Sequence, residues 1–276
     1  MPTYNGARYL PEALESCLGQ TWVDLELIVV IDGSIDETRD ILGCVTDERL
    51  RIVEHETNRG LAEAINTGMT ASVGELLTWT SDDNLYLPHA IEKMVTILDD
   101  RPDIDFVYAS YYLIDDDGRI TDVIPALGPE RLWEKDVVGA CFLYRRVVWE
   151  QTGRFNSQLR NIEDYEYWLR VSRRFKMLAD PEVLYKYRHH PLSLTGQLNI
   201  FERARQSARM KRSLGGITQA EMRQELAEFD IAEAFERYQL NRKEDVPRLV
   251  LSGLRRNPAY AANRGVWSIL IRSLLR

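Results

Sequence analysis

The sequence is short of cysteine, of long apolar runs and of positive charge, and each shortage removes a class of protein. Three cysteines in 276 residues (Cys17, Cys44 and Cys141) are odd in number, widely spaced and without a Cys-x-x-Cys pair. They give neither a disulfide framework nor a thiolate zinc site, and read as buried, reduced thiols. No run of 18 apolar residues occurs. The longest, around Leu25–Ile31, has strand length and is broken by an acid, so no transmembrane span is expected. The first residues show no basic start and no apolar signal core, and a cytoplasmic protein is expected. Neither a fixed-period repeat nor a low-complexity linker is present.

What is there suits a soluble globular chain: 45% hydrophobic and 28% charged residues, long enough for one large α/β domain or a domain with an appendage. Basic side chains number 35 and acidic ones 43, a net charge of −8. The charge is split unevenly. Residues 196–276 hold 15 Lys and Arg against 9 Asp and Glu, leaving 20 against 34 in residues 1–195. So acidic a body excludes nucleic acid as a partner. It also means that a polyanionic ligand bound there needs a cation beside it.

Periodicity alternates through the first hundred residues. Tyr9–Gln20 reads as a helix, with Leu10, Leu14, Cys17 and Leu18 on one face and Pro11 in its first turn. Glu26–Ile31 is a buried strand, and Ser34 with Glu37 predicts a capping box and a helix through Leu42. Arg51–Glu54, Glu75–Thr80 and Asp105–Tyr112 read as strands, Leu61–Ala71 and Leu87–Asp99 as helices. That order predicts a mostly parallel wound sheet. Beyond the turn at Asp115–Gly118 a hairpin and mixed segment follow to about Thr195. From Phe201 two to four helices are expected, punctuated at Gly215-Gly216, Pro247 and Pro258.

Ligands of wound sheets bind beyond the carboxyl ends of strands. Asp32 ends one predicted strand, and Asp82 and Asp83 end another. Singly, such acids can cap the helices that follow. Gathered at one rim they repel one another, and make sense around a divalent cation.

An ordered series of motifs resembles the family 2 glycosyltransferases. It runs Pro2-Thr3-Tyr4-Asn5, Gln20-Thr21, Asp32-Gly33-Ser34, Asn58-Arg59-Gly60, Asn66-Thr67-Gly68, Ser81-Asp82-Asp83, Gly153-Arg154-Phe155, Glu163-Asp164-Tyr165 and Tyr187-Arg188-His189-His190. The resemblance implies a GT-A fold over residues 1–195, a Rossmann-like wound mixed sheet. Residues 1–100 would be its nucleotide-sugar half and 101–195 its acceptor half, with 196–276 a helical C-terminal extension. It implies an inverting, Mn²⁺- or Mg²⁺-dependent transfer from a nucleotide-sugar, a UDP-sugar first, to a glycan or lipid-linked acceptor in surface polysaccharide or glycoconjugate synthesis. Asp164 is then the base, Pro2, Thr3, Tyr4, Asp32, Arg59 and Asp82 hold the nucleotide, and Asp83, Asp82 and His190 are candidates for the metal. For His190 a phosphate contact is the alternative; His189 is a weaker candidate, and His55 and His89 weaker still. For Asp164 the structural alternative is an N-cap of a helix over Tyr165–Arg174, and Glu163 is the neighbouring base.

Two positions depart from the pattern: Ile31 and Thr80 stand where the family usually has acids. They motivate a rival reading, a non-catalytic nucleotide-sugar-binding relative. A nucleotidyltransferase would show a glycine-rich opening loop, whereas Pro2–Gly6 has one glycine. Residues 246–276 carry six arginines and no acid among apolar residues including Trp267. Peripheral docking on the inner face of the membrane is one expectation for them, packing on the domain the other. Finally, resembling proteins carry an apolar strand just before the Pro-Thr-Tyr-Asn loop. Met1 is therefore expected to be an internal methionine of a chain longer by roughly ten residues, and the chain as it stands to be poorly soluble or inactive.

Overall fold

A computed structural model describes residues 1–191, 193 and 199–275. The chain divides into two compact units, residues 1–196 and 197–276. The boundary expected between residues 195 and 196 lies outside the described residues, as does Arg276 at the end of the basic tail.

The first unit holds two sheets. Strands β1 (Pro2–Thr3), β2 (Leu27–Asp32) and β3 (Leu50–His55) pair in that order, all parallel. β2 is buried along its whole length, as a continuous apolar run in a parallel sheet should be. Its register sets Asp32 level with His55 at the strand ends. Helix α1 (Leu10–Leu18) turns Leu10, Ala13, Leu14 and Cys17 inward, with Pro11 in the first turn where no helical N–H is lost. α2 (Thr38–Gly43) starts three residues later than the capping box at Ser34 predicts. Ser34 does not cap it: its Oγ accepts from Asn5 N instead, at 3.0 Å. α3 (Leu61–Ala71) follows Gly60, whose φ of 89° sharpens the turn from β3.

The second sheet contains β4 (Leu76–Leu77), β5 (Leu85–Tyr86), β6 (Phe106–Ile114), β7 (Ile120–Ile124), β8 (Phe142–Arg145) and β9 (Met177–Arg188). Its order is β4-β8-β6-β9-β5, with β7 beside β6. Only β6 and β9 run parallel there. The mostly parallel sheet expected from the element order is thus a parallel sheet and a mixed one, because the turn at Asp115–Gly118 folds β7 straight back on β6 with no crossover helix. α4 (Ala90–Asp100) packs Met94 and Leu98 into one core with Leu10, Val29 and Val107. α5 (Arg146–Thr152) and α6 (Glu163–Val171) follow β8, and Trp168 of α6 forms an aromatic cluster with Phe106 of β6 and Phe142 and Tyr144 of β8. Cys17 and Cys141 are buried as expected; Cys44, just past α2, is exposed.

A cavity of about 880 Å³ is lined by β2 residues Leu27 and Ile28 together with Leu76, Leu77 and Trp79. Met1 is buried at its wall, and its ammonium donates to Ile28 O at 2.7 Å. Burial pushes that amine down to about 6, against the opposing charges of Cys17 and Asp82.

The second unit is helical: α7 (Ile200–Ser213), α8 (Gln219–Gln239), α9 (Val246–Arg256) and α10 (Arg264–Leu274). α8 opens with a capping box of Thr218 and Glu221. Ile231, Leu249, Val250, Val266 and Leu270 form its core, and Arg205 pairs with the buried Asp230 and Glu233. Part of the tail therefore packs, in line with one of its two expected roles. The other ridge of α10 does not: Trp267, Ile271 and Leu274, with Leu275 after them, are exposed. Among the described residues no helix is long and apolar enough to cross a membrane.

Candidate active site

The loops that leave β1, β2 and β3 are stitched together by side chains. Asn5, at φ 53°, donates its N–H to Ser34 Oγ and accepts from Ile35 N through Oδ1. Ala7 N donates to Asp36 Oδ2 at 3.0 Å. Gly33 has φ 74°, and a Cβ there would come within 2.5 Å of Asn58 N, so the Asp32–Ser34 turn and the Thr57–Gly60 turn pack backbone to backbone. Asp32, 3% exposed, binds that second turn directly. Its Oδ1 accepts from Arg59 N at 2.9 Å and its Oδ2 from Gly60 N at 2.8 Å. The Arg59 side chain is left exposed, as is Tyr4, while Pro2 and Thr3 are buried in β1.

Asp82 and Asp83 sit where β4 has ended and the chain crosses to β5. They face different ways. Asp82 lies under the first loop, against the Thr3 hydroxyl, and a Cβ on Gly6 would collide with its Oδ2 at 1.9 Å. Burial pushes it up to about 7, with the Asp83 charge adding and the Thr3 hydroxyl opposing. Asp83 meets His190, Oδ2 to Nε2 at 3.2 Å. Burial raises Asp83 as well, although the His190 hydrogen bond lowers it. Its other oxygen, Oδ1, is buried and has no hydrogen-bond partner among the described residues.

Arg188 fixes this arrangement. Only 2% exposed, it donates from Nε to Asp83 O, from Nη1 to Asp116 O and from Nη2 to Glu12 Oε2, and its own N–H goes to Asn84 Oδ1. Its guanidinium also lies 4.6 Å from the Tyr9 ring centre, with the His190 ring 5.0 Å from the same ring. Arg188 is therefore a buried structural cation and gives no exposed positive surface beside His190. That cation is consumed in holding the Asp83 and Asp116 loops to α1, and His190 beside it is buried.

Asp164 belongs to another element. α6 begins at Glu163 after Ile162, so Asp164 lies within the first turn and is not the N-cap. Its Oδ1 accepts from Tyr165 N at 2.7 Å, and the side chain is partly exposed. Glu163 is buried and accepts from Ile162 N through Oε2. Burial, with the Asp164 charge, pushes it up to about 7.

The sequence-predicted residues thus fall into three groups: Asp32 with the Arg59 turn, Asp82 with Thr3, and Asp83 with His190. Asp164 is carried separately. Among the described residues no three of His, Cys, Asp and Glu converge as ready metal ligands. The orphaned Asp83 oxygen beside His190 nevertheless suits a hard divalent cation, to which these two residues would supply part of the ligand set. Sequence reading misses His55, whose Nδ1 lies 2.6 Å from Asp32 Oδ1, and the internal role of Arg188. For His55 no local signal exists, because its place level with Asp32 is set by the pairing of β2 with β3. His89 pairs with the exposed Glu182, away from these groups.

A family model described as Glycosyl transferase family 2 matches residues 1–153. The chain is 31% identical over 210 residues to an uncharacterized glycosyltransferase of Rickettsia prowazekii, covering 71% of this chain and 64% of that protein. It is 32% identical over 216 residues to the uncharacterized glycosyltransferase EpsJ of Bacillus subtilis, covering 71% and 61%. The chain thus spans less than two thirds of either relative. Among solved structures, TarS 1–349 of S. aureus in complex with UDP-GlcNAc superposes with a TM-score of 0.67 at 18% identity, over 98% of this chain and 82% of that one. The mannosyltransferase PcManGT of Pyrobaculum calidifontis, in complex with GDP-Man and Mn²⁺, gives 0.62 at 18% identity, over 99% and 78%. These likenesses establish the fold.

Proposed function

The chain belongs to glycosyl transferase family 2, and on that premise we propose that it moves a sugar from a nucleotide diphosphate sugar, UDP-linked first, to an acceptor hydroxyl with inversion. The observation that carries this reading is the unpartnered, buried Oδ1 of Asp83, on a loop whose backbone Arg188 holds, with His190 beside it. Residues 1–100 take the nucleotide. Pro2, Thr3 and Tyr4 flank the nucleoside, Asp32 and Arg59 bind its base and ribose side, and Asp82 reaches a ribose hydroxyl. Residues 101–195 take the acceptor. Asp164 accepts the acceptor hydroxyl proton as that oxygen bonds to the anomeric carbon and the bond to the diphosphate breaks on the opposite face. Asp83 and His190 hold Mn²⁺ or Mg²⁺, with Asp82 next to them; when bound, the ion supplies positive charge against the departing diphosphate. Without it, an acidic body repels the donor.

Asp83→Ala should abolish the Mn²⁺-dependent part of nucleoside diphosphate binding, at least tenfold in Kd by calorimetry. Equal binding by the wild type with and without chelator would remove the metal assignment. Donor hydrolysis in the presence of Mn²⁺, lost in the Asp83→Ala protein, separates an enzyme from a non-catalytic sensor.

The acceptor class is a glycan or lipid-linked glycan in surface polysaccharide or glycoconjugate synthesis, used at the cytoplasmic face of the membrane. A specific observation favours this setting. On α10, Trp267 (41% exposed), Ile271 (53%) and Leu274 (64%) form one ridge at i, i+4 and i+7, with Arg264 and Arg272 exposed on the same helix. An isologous dimer through that ridge would set arginine against arginine; an anionic lipid surface meets both the apolar and the charged part. The protein should sediment with liposomes containing anionic lipid at low salt, and the double variant Trp267→Ser, Ile271→Ser should stay in solution. Failure of the wild type to sediment at low salt ends this part of the reading.

A further inference from the structure

His55 has no part in the reading above, yet it is 4% exposed and both ring nitrogens are engaged across three elements. It stands at the end of β3. Nδ1 lies 2.6 Å from Asp32 Oδ1, at the end of β2, and Nε2 lies 2.9 Å from Thr67 Oγ1, on α3. Asp32 already accepts two backbone N–H groups, so the carboxylate is an acceptor here and Nδ1 is the donor. In the neutral ring Nε2 is then the acceptor, and the Thr67 hydroxyl donates to it. A carboxylate offers about four lone-pair sites, and three are filled by His55, Arg59 N and Gly60 N.

We infer that His55 is a positioning residue of the nucleotide site: by locking the Asp32 carboxylate it sets the Arg59–Gly60 turn and leaves Asp32 one fixed acceptor position for the nucleotide. The inference rests on the reading of Asp32 and Arg59 as nucleotide-binding residues and extends it to a side chain that touches no nucleotide. Geometry supplies the transmission. The turn has no slack, because Gly33 packs on Thr57 and Asn58 from one side while Asp32 holds Arg59 and Gly60 from the other. Rotation of the carboxylate would release both N–H groups together and with them the backbone of Arg59. Thr67 prevents the ring from turning away, since a ring held at both nitrogens has one orientation.

The test uses the full chain with Mn²⁺, and whichever of UDP, GDP and dTDP the wild type binds most tightly. His55→Leu should weaken binding about tenfold, the cost of freeing a buried hydrogen-bonded carboxylate. It should raise KM for the donor with kcat changed less than threefold. His55→Asn places an amide N–H where Nδ1 stood and should bind within threefold of the wild type. Thr67→Val leaves the Asp32 contact and loosens the ring; it should fall between the two, and it keeps the inference testable if His55→Leu fails to fold. A wild-type Kd in His55→Leu, or a loss in His55→Asn as large as in His55→Leu, overturns the positioning role while leaving the nucleotide site intact. No binding of any of the three diphosphates by the wild type overturns the nucleotide reading and this inference with it.

Discussion

Asp164→Asn should cut the rate of sugar transfer at saturating donor by about 10³-fold while nucleoside diphosphate affinity stays within twofold of the wild type. Asparagine is isosteric and can still accept the Tyr165 N–H through Oδ1, so the first turn of α6 is preserved. What it lacks is the ability to take a proton, which is the only role proposed for this carboxylate. Glu163 is the control. It is buried, turned onto its own helix start through Ile162 N, and pushed up to about 7. With Glu163 buried and Oε2 taken by Ile162 N, an acceptor hydroxyl reaches the partly exposed Asp164 more readily. Glu163→Gln should accordingly lower Tm by a few degrees and leave the rate within tenfold. The reverse pattern, with Glu163→Gln inactive and Asp164→Asn active, would move the base by one residue. Comparable losses of binding and of rate in Asp164→Asn would instead place Asp164 in the donor site.

Residues whose role is set by near neighbours or by a strand end are legible in the amino-acid order alone. The apolar run of β2 declares both its burial and the place of Asp32, and Ser81–Asn84 is readable as a loop beyond a strand because acids follow apolar residues there. Helix faces in the second unit are equally plain from Leu249, Val250, Val266 and Leu270. Local rules fail where a distant partner competes for the same group. Ser34 looks like an N-cap in a window of four residues, but Asn5, 29 residues away, takes its hydroxyl. Asp164 looks like an N-cap until Glu163 is found already inside the helix. The internal role of Arg188 is not legible, because its partners Glu12, Asp83 and Asp116 lie up to 176 residues off. His55 ranks low as a metal ligand, and among the described residues no metal group forms around it. Its pairing with Asp32 depends instead on a strand register that no window of sequence reports.

Joining a short apolar segment such as Val-Ile-Val-Ile directly ahead of Met1 should raise Tm by about 10 °C. β2 pairs with β1 only at Val30 and Ile31, so the edge of β2 away from β3 has no strand partner at Leu27 and Ile28, which line the 880 Å³ cavity with Leu76 and Leu77. An extended segment there continues the β1 ladder that the Met1 ammonium now ends by donating to Ile28 O. Burying four such side chains contributes about 8 kcal/mol, and ordering four residues costs about 6 kcal/mol. Removing the charge from the buried amine adds about 3 kcal/mol, since its value falls from 8.0 to about 6. The net gain is about 5 kcal/mol below pH 6, where the amine contribution is full, and about 3 kcal/mol at pH 7, where ~2–4 °C per kcal/mol for a unit of this size gives the stated shift. The pH dependence separates the two contributions. Between pH 6 and 8 the unfolded amine holds more proton than the folded one, so stability rises with pH through that window. The penalty is full below 6 and gone above 8. Asp82 and Glu163, both raised to about 7, act oppositely, favouring the folded state below that pH in every variant. The extended protein should therefore lose only the rising component, and its gain over the starting chain should be largest at about pH 5.5, below the amine's folded value. A Ser-Asn-Ser-Asn extension of the same length should recover the charge contribution without the burial. If both extensions leave Tm and its pH profile unchanged, the cavity does not receive a strand and the amine is solvated.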